Sequence, residues 1–203
     1  MATTIDTDTE LSAVNSILGA IGQSPVTTLN FKNPEVSFIY NLLTEVNKDV
    51  QNEGWNFNRE QHVEIKPDSV TKKIAIPPDV LSYDLHDNLV HGTKNLVERK
   101  GFIYDKENHT YEFDQSLYMD IVYLWEFEDL PNPVQRYITY RTATRAATQL
   151  VSNPQLVRLI EQQEAKARAT CLEYECNQGD HSFFGWDHHS TYHAYQPYKA
   201  LQR

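Results

Sequence analysis

Residues 33–54, NPEVSFIYNLLTEVNKDVQNEG, decide how the rest of the chain is read. Asn33 can accept from the N–H groups left open where a helix starts, and Pro34 carries a φ already suited to the first helical position. Val36, Ile39, Leu43, Val46 and Val50 follow at spacings of 3, 4, 3 and 4. Those spacings put all five on one side of a 3.6-residue helix. Gly54 ends the run. The pattern predicts an amphipathic helix whose stripe is core rather than a binding groove.

The same opening recurs downstream. Asn132-Pro133 opens a third helix, with Val134, Tyr137, Ile138, Leu150 and Val151 among its apolar positions. Asn153-Pro154 opens a fourth, with Leu156, Leu159, Ile160, Ala167, Cys171 and Tyr174. The intervals are too unequal for a repeat protein, so Asn-Pro is a capping device here. About one capping turn separates the last two helices, which predicts a hairpin or a bent pair. Upstream, Thr7 and Glu10 have the spacing of a capping box; Leu11, Val14, Leu18 and Ile21 form a stripe, and Gly22 stops it.

Residues 55–130 lack that period. Trp55, Phe57, Val63 and Ile65 partly alternate; Leu81, Tyr83 and Leu85 alternate, as do Tyr111 and Phe113. Ile74 and Ile76 lead into Pro77-Pro78, which cannot sit in a central strand. Gly101 separates 95–97 from 102–104, and Leu117 to Phe127 is rich in aromatic and β-branched residues. These are short strands joined by polar turns. The expected class is α+β: a helical domain from 1–54 plus 131–178, an inserted small β domain at 55–130, and an extended C-terminal arm at 179–203.

The 203 residues suffice for one ordinary core, or two small ones. Net charge is −10 and uneven: −5 over 1–54, −7 over 55–130, +2 over 131–178 and 0 over 179–203. An acidic body argues against tight generic binding to nucleic acid, which needs clustered Lys and Arg. The longest strongly apolar run, 121–125, is far too short to span a bilayer. The N-terminus is Thr- and Asp-rich, so no secretory signal is expected. Cys171 and Cys176 are five apart, roughly 140° round a helix, and are read as small packing residues rather than a disulfide.

The arm is the unusual part. It holds half of the eight histidines together with Phe183, Phe184, Trp186, Tyr192, Tyr195 and Tyr198. It has no clean period, yet its aromatic load suits an interface, so those six residues are read as a partner-binding segment that orders on its partner. His188, His189 and His193, with Asp187, invite a metal. The Gly and aromatic content gives no firm helix to hold them, and packing or solvent exposure is the preferred reading. There is no phosphate-cradling Gly loop, no G-x-S-x-G, no H-E-x-x-H and no C-x-x-C. Glu126, Glu128 and Asp129 read as a solvated edge, not a catalytic pair. No catalytic residue, metal site or cofactor is expected.

Arg136, Arg141 and Arg145 lie on the third helix. Residues 141 and 145 share a face, and 136 lies roughly 140° away. They are candidate subunit-interface or channel charges, through salt bridges within or between subunits or through contact with passing DNA.

Several segments, in order, resemble the tail tubular protein A family of short-tailed DNA phages, the podoviruses. They are 10–18 with Ile21-Gly22 and Pro25-Val26; 51–58, Gln51 to Asn58; 76–79, Ile-Pro-Pro-Asp; 101–105, Gly-Phe-Ile-Tyr-Asp; Leu130-Pro131; Arg136-Tyr137-Ile138 with Arg141 and Arg145; and 171–175, Cys-Leu-Glu-Tyr-Glu. The resemblance spans most of 9–176, and residues from about 179 follow no family pattern. It implies a virion head-to-tail adaptor made in the host cytoplasm: a ring of twelve subunits between the portal protein and the tail nozzle protein. Double-stranded DNA would pass through the bore without specific binding, and no membrane would be involved. An acidic lining would repel phosphates, and a closed ring needs head-to-tail contacts, which the basic third and fourth helices and the acidic first two segments would suit. The alternatives are another head-completion or tail tube component, a small hydrolase using the His-rich tail, and a nucleic-acid-binding module.

Overall fold

The computed structural model describes residues 9–85, 95–151 and 153–179. They form an α+β fold of two compact units, one containing 9–58 and 124–175, the other 59–123.

The helical unit contains α1 (Glu10–Ala20), α2 (Pro34–Gln51), α3 (Asn132–Leu150) and α4 (Pro154–Gly179). All five residues of the α2 stripe are buried, and they pack with Val14, Ile17 and Leu18 of α1 and Val134, Tyr137 and Ile138 of α3. Asn33 Oδ1 accepts from the Glu35 N–H at 3.0 Å, and Asn153 Oδ1 from Gln155 and Leu156. The device fails at 132: Asn132 is already helical, Pro131 holds the cap position, and no side chain caps the end. A proline on each side fixes the backbone there without an Asn acceptor. The cap of α1 is Thr9 rather than Thr7, its Oγ1 accepting from Ser12 N–H; Thr7 lies outside the described residues. At the other end, Gln23 N–H donates to Leu18 O and Gly22 N–H to Gly19 O, the paired bonds of a Schellman stop. Gly22 has φ +82°, the left-handed conformation that this stop requires.

Two expectations about α3 and α4 change. Leu150 and Leu159 are half exposed. The inner face of α3 is instead completed by Thr142, Ala143, Ala146 and Ala147, whose small side chains let helices approach closely. Over its 26 residues α4 buries only Ile160 and Cys171.

Trp55 and Phe57 are not strand residues. They lie in the turn after α2, with Trp55 in the helical core and Phe57 packed against it. The Trp55 ring N–H donates to Val50 O at 2.7 Å, and Asn58 Oδ1 accepts the Trp55 backbone N–H. These bonds curl the chain under α2 before any strand begins. The aromatic run of 117–127 is likewise divided: β5 stops at Tyr123, and a single 3₁₀ turn, Phe127–Asp129, buries Phe127 in the helical core.

In the other unit β1 (Arg59–Ile65), β5 (Leu117–Tyr123) and β2 (Val80–Leu85) make an antiparallel sheet in the order β1-β5-β2. Central β5 alternates as a half-buried strand should, with Leu117, Met119 and Ile121 inside. One extra residue interrupts each neighbour, between Glu60 and Val63 and at Leu81. The second bulge explains why Val80, Tyr83 and Leu85 pack inward while Leu81 leaves the alternation. β3 (Leu96–Arg99) and β4 (Phe102–Asp105) form a hairpin closed by Lys100-Gly101, both at positive φ, as the tightest hairpin turn requires. Tyr111 and Phe113 belong to no strand; Phe113 is buried, its N–H donating to Lys72 O.

Candidate functional site

Two of the segments that carry the family resemblance, 51–58 and the stretch from Arg136 to Arg145, meet in the helical unit at Glu53. Its carboxylate accepts from Arg141 Nη1 at 3.0 Å and from Arg168 Nη2 at 3.1 Å. Both guanidinium groups also donate to the Tyr137 hydroxyl and lie over its ring, 5.8 and 5.3 Å from the centroid. The arrangement clamps the end of α2 to α3 and α4. The pairs are partly exposed, so each contributes about 1 kcal/mol at most; their main effect is to fix orientation. Hydrogen bonds to Glu53, then to Tyr137, hold the Arg168 guanidinium above its ordinary pKa. For Arg141, burial pulls the other way and the same two partners outweigh it.

One turn along the same face, Arg145 pairs with Asp49 at 2.8 Å and with Glu45 at 3.5 Å. Arg141 and Arg145 therefore face α2 together. Arg136 is exposed on another face, beside α1 and α4. Much of the opposite charge expected to meet across subunits is thus joined within one subunit.

The rest of the 51–58 segment is also bracing. Gln51 is fully buried, and its amide takes both backbone groups of Trp125: Oε1 accepts the N–H at 2.8 Å, and Nε2 donates to the carbonyl at 2.9 Å. Asn58 Nδ2 donates to Gln51 O, and Glu175 of α4 accepts the Asn56 N–H at 2.7 Å. Cys171 is buried in the same layer, and burial pushes its thiol up to about 11; Cys176 is exposed. Sequence reading passed over Gln51, Glu53, Asn58 and Arg168 as site residues. A buried amide in the last turn of an apolar helix was the available signal.

Two cleft regions flank this frame. One cleft, of about 400 Å³, runs between α1, α3 and α4 and is lined by Ser12, Ala13, Ser16, Arg136, Tyr140, Ala143 and Gln163 among others. A neighbouring cleft of about 360 Å³ extends along α4 past Lys166. The other, of about 510 Å³, is acidic: Glu10, Glu126 and Glu128 surround it with Tyr40, Asn47 and Trp125. The Tyr40 hydroxyl lies 3.4 Å from Glu10, and burial, then that carboxylate, raises its pKa. Among the described residues no His, Cys, Asp and Glu cluster could hold a metal ion, and no helix is long and apolar enough to cross a membrane. Phe183, Phe184, Trp186, Tyr192, Tyr195 and Tyr198 lie outside the described residues, as do His188, His189 and His193.

The described residues of the helical unit form a frame of helices braced by side-chain hydrogen bonds and ion pairs. The family model described as tail tubular protein matches residues 11–181, and the chain belongs to that family. It is a structural component of the phage virion tail. One relative is "Tail tubular protein A" of Klebsiella phage KP34, 29% identical over 136 residues, covering 66% of this chain and 69% of the relative.

Proposed function

We propose that this tail component is the head-to-tail adaptor, a subunit of a closed ring, expected to hold twelve copies, that joins the portal to the tail nozzle and surrounds double-stranded DNA during packaging and ejection. The observation that carries this reading is how its arginines are used. Arg141, Arg145 and Arg168 are bound to Glu53, Glu45 and Asp49 of the same chain. Cations committed in this way, on a body of net charge −10, offer little to phosphates, and a bore that DNA must traverse is best served by weak attraction. The helical unit, with 9–58 and 124–175, would form the ring body, and 59–123 would be its inserted β domain. The arm 179–203, with its six large aromatic residues, would grip the portal by ordering on it. The protein would act without catalysis or cofactor.

The test is the mass of the full chain in solution, alone and mixed with the portal ring of the same particle. A monomer that becomes a closed multimer on the portal, with 179–203 newly protected from protease, supports the adaptor. A chain indifferent to the portal points to another head-completion or tail tube position. Deleting 179–203 is expected to leave the helical unit folded and to abolish portal docking.

A further inference from the structure

We infer that Trp125 and the acidic turn after it form a plug, and that the cleft between α1, α3 and α4 of a second copy of this chain is its socket. This deepens the ring reading above and rests on it.

The plug is built for presentation. Trp125 is 42% exposed, yet Gln51 fixes both its backbone N–H and its carbonyl. The next turn is held as firmly, since the buried Gln135 amide donates to Phe127 O at 2.8 Å and to Glu128 O at 3.3 Å. Glu126, Glu128 and Asp129 are exposed on this rigid support. A large aromatic side chain held ready on a fixed backbone loses little entropy on docking, and Trp is a favoured interface anchor.

The socket is complementary in shape and charge. Its lining includes the small residues Ser12, Ala13, Ser16 and Ala143 beside Tyr140 and Gln163, and its volume of about 400 Å³ leaves room for a bulky side chain. Its cationic groups are Arg136 on the rim and Lys166 just beyond, facing three carboxylates in the docked arrangement. No residue lines both the socket and the acidic cleft that holds Trp125. Contact through two different surfaces is head-to-tail and makes a ring when its rotation closes, whereas a two-fold pair would use one surface twice. The small burial of α4 within its own chain agrees with a helix that is covered further on assembly.

The test introduces Ser16→Cys and Glu128→Cys together in virions whose chain also carries Cys176→Ser, and oxidises isolated tails. The expected result is a ladder of disulfide-linked multimers on a non-reducing gel, absent from either single variant. Normal incorporation into tails without a ladder overturns the plug and socket. The copy number per particle then separates the two readings: many copies leave the ring standing, and a single copy removes the ring as well. A charge exchange covers the case in which the cysteine pair does not fold. Glu126→Arg with Glu128→Arg is expected to lower incorporation about tenfold, and adding Arg136→Glu with Lys166→Glu to the same chain should restore it. Failure of that restoration in chains with unchanged melting temperatures also overturns the proposal.

Discussion

Each unit has polar side chains that set its backbone, and two that reach beyond their own turn in one contrast with two that close turns in the other. In the helical unit an amide side chain reaches across the sequence: Gln51 to Trp125, 74 positions on, and Asn15 to both backbone groups of Val26, 11 positions on. In the β unit the carboxylates of Asp68 and Asp105 accept from N–H groups two and three residues ahead, within their own turns. The cores differ to match: among the described residues, 21 buried residues line the first and six the second. The larger unit can therefore rely on distant contacts to set its geometry, while the smaller depends on turns that fold locally.

The largest expected effect comes from breaking the larger core. Leu43→Asp places an unpaired charge in the fully covered α2 stripe, a cost on the order of 4 kcal/mol or more and a large part of a typical domain's stability. Circular dichroism should show lost helix and a greatly lowered melting temperature; a folded, assembling variant would mean the stripe is not core.

Gln51→Ala removes the Gln51 amide from both backbone groups of Trp125, at roughly 2–4 kcal/mol. Hydrogen exchange should rise at Trp125 as well as at the end of α2. If it rises only near residue 51, the bracket does not carry across the sequence.

Asp105→Ala is the local counterpart. It should cost about 1–2 kcal/mol and raise exchange over 105–110, leaving α1 to α3 unchanged. Loss of protection in the helices would end the contrast between the units.

The smallest effect is acidic. The Thr71 N–H, then its hydroxyl and the Val70 N–H, hold the Asp68 carboxyl below its usual range. A depressed folded pKa contributes stability above the unfolded value of about 4, and that contribution is lost as pH falls through the folded value. Exchange at 70–72 should therefore quicken below about pH 4 before the helical unit responds, and Asp68→Asn should flatten that dependence.

The same contrast explains which features were legible in the sequence. The α2 stripe and the Asn33 and Asn153 caps were legible because spacing and capping act over a few residues, as was the hairpin break at Gly101. The Asn132 cap misled because adjacent prolines make the Asn acceptor unnecessary. Trp55 and Phe57 resembled a strand because alternation is blind to a turn that folds aromatic residues under a helix. Trp125 was lost in an aromatic run for the same reason: its partner, Gln51, lies 74 positions away and leaves no local period. Among the three predicted arginines, the geometry of one helix correctly separated 136 from 141 and 145. That Arg141 and Arg145 turn toward Glu53 and Asp49 required the packing of α2 against α3.

The Gln51 bracket has a further consequence, for exchange of parts. It ties Trp125, just after β5, to the same residue whose carbonyl receives Asn58, just before β1. The helical unit thus holds its own departure and return points as neighbours, whatever sequence lies between them. An interval bounded this way behaves as a cassette: 59–123 can lengthen, shrink or be replaced by another fold with close termini, at little cost to the frame that receives it.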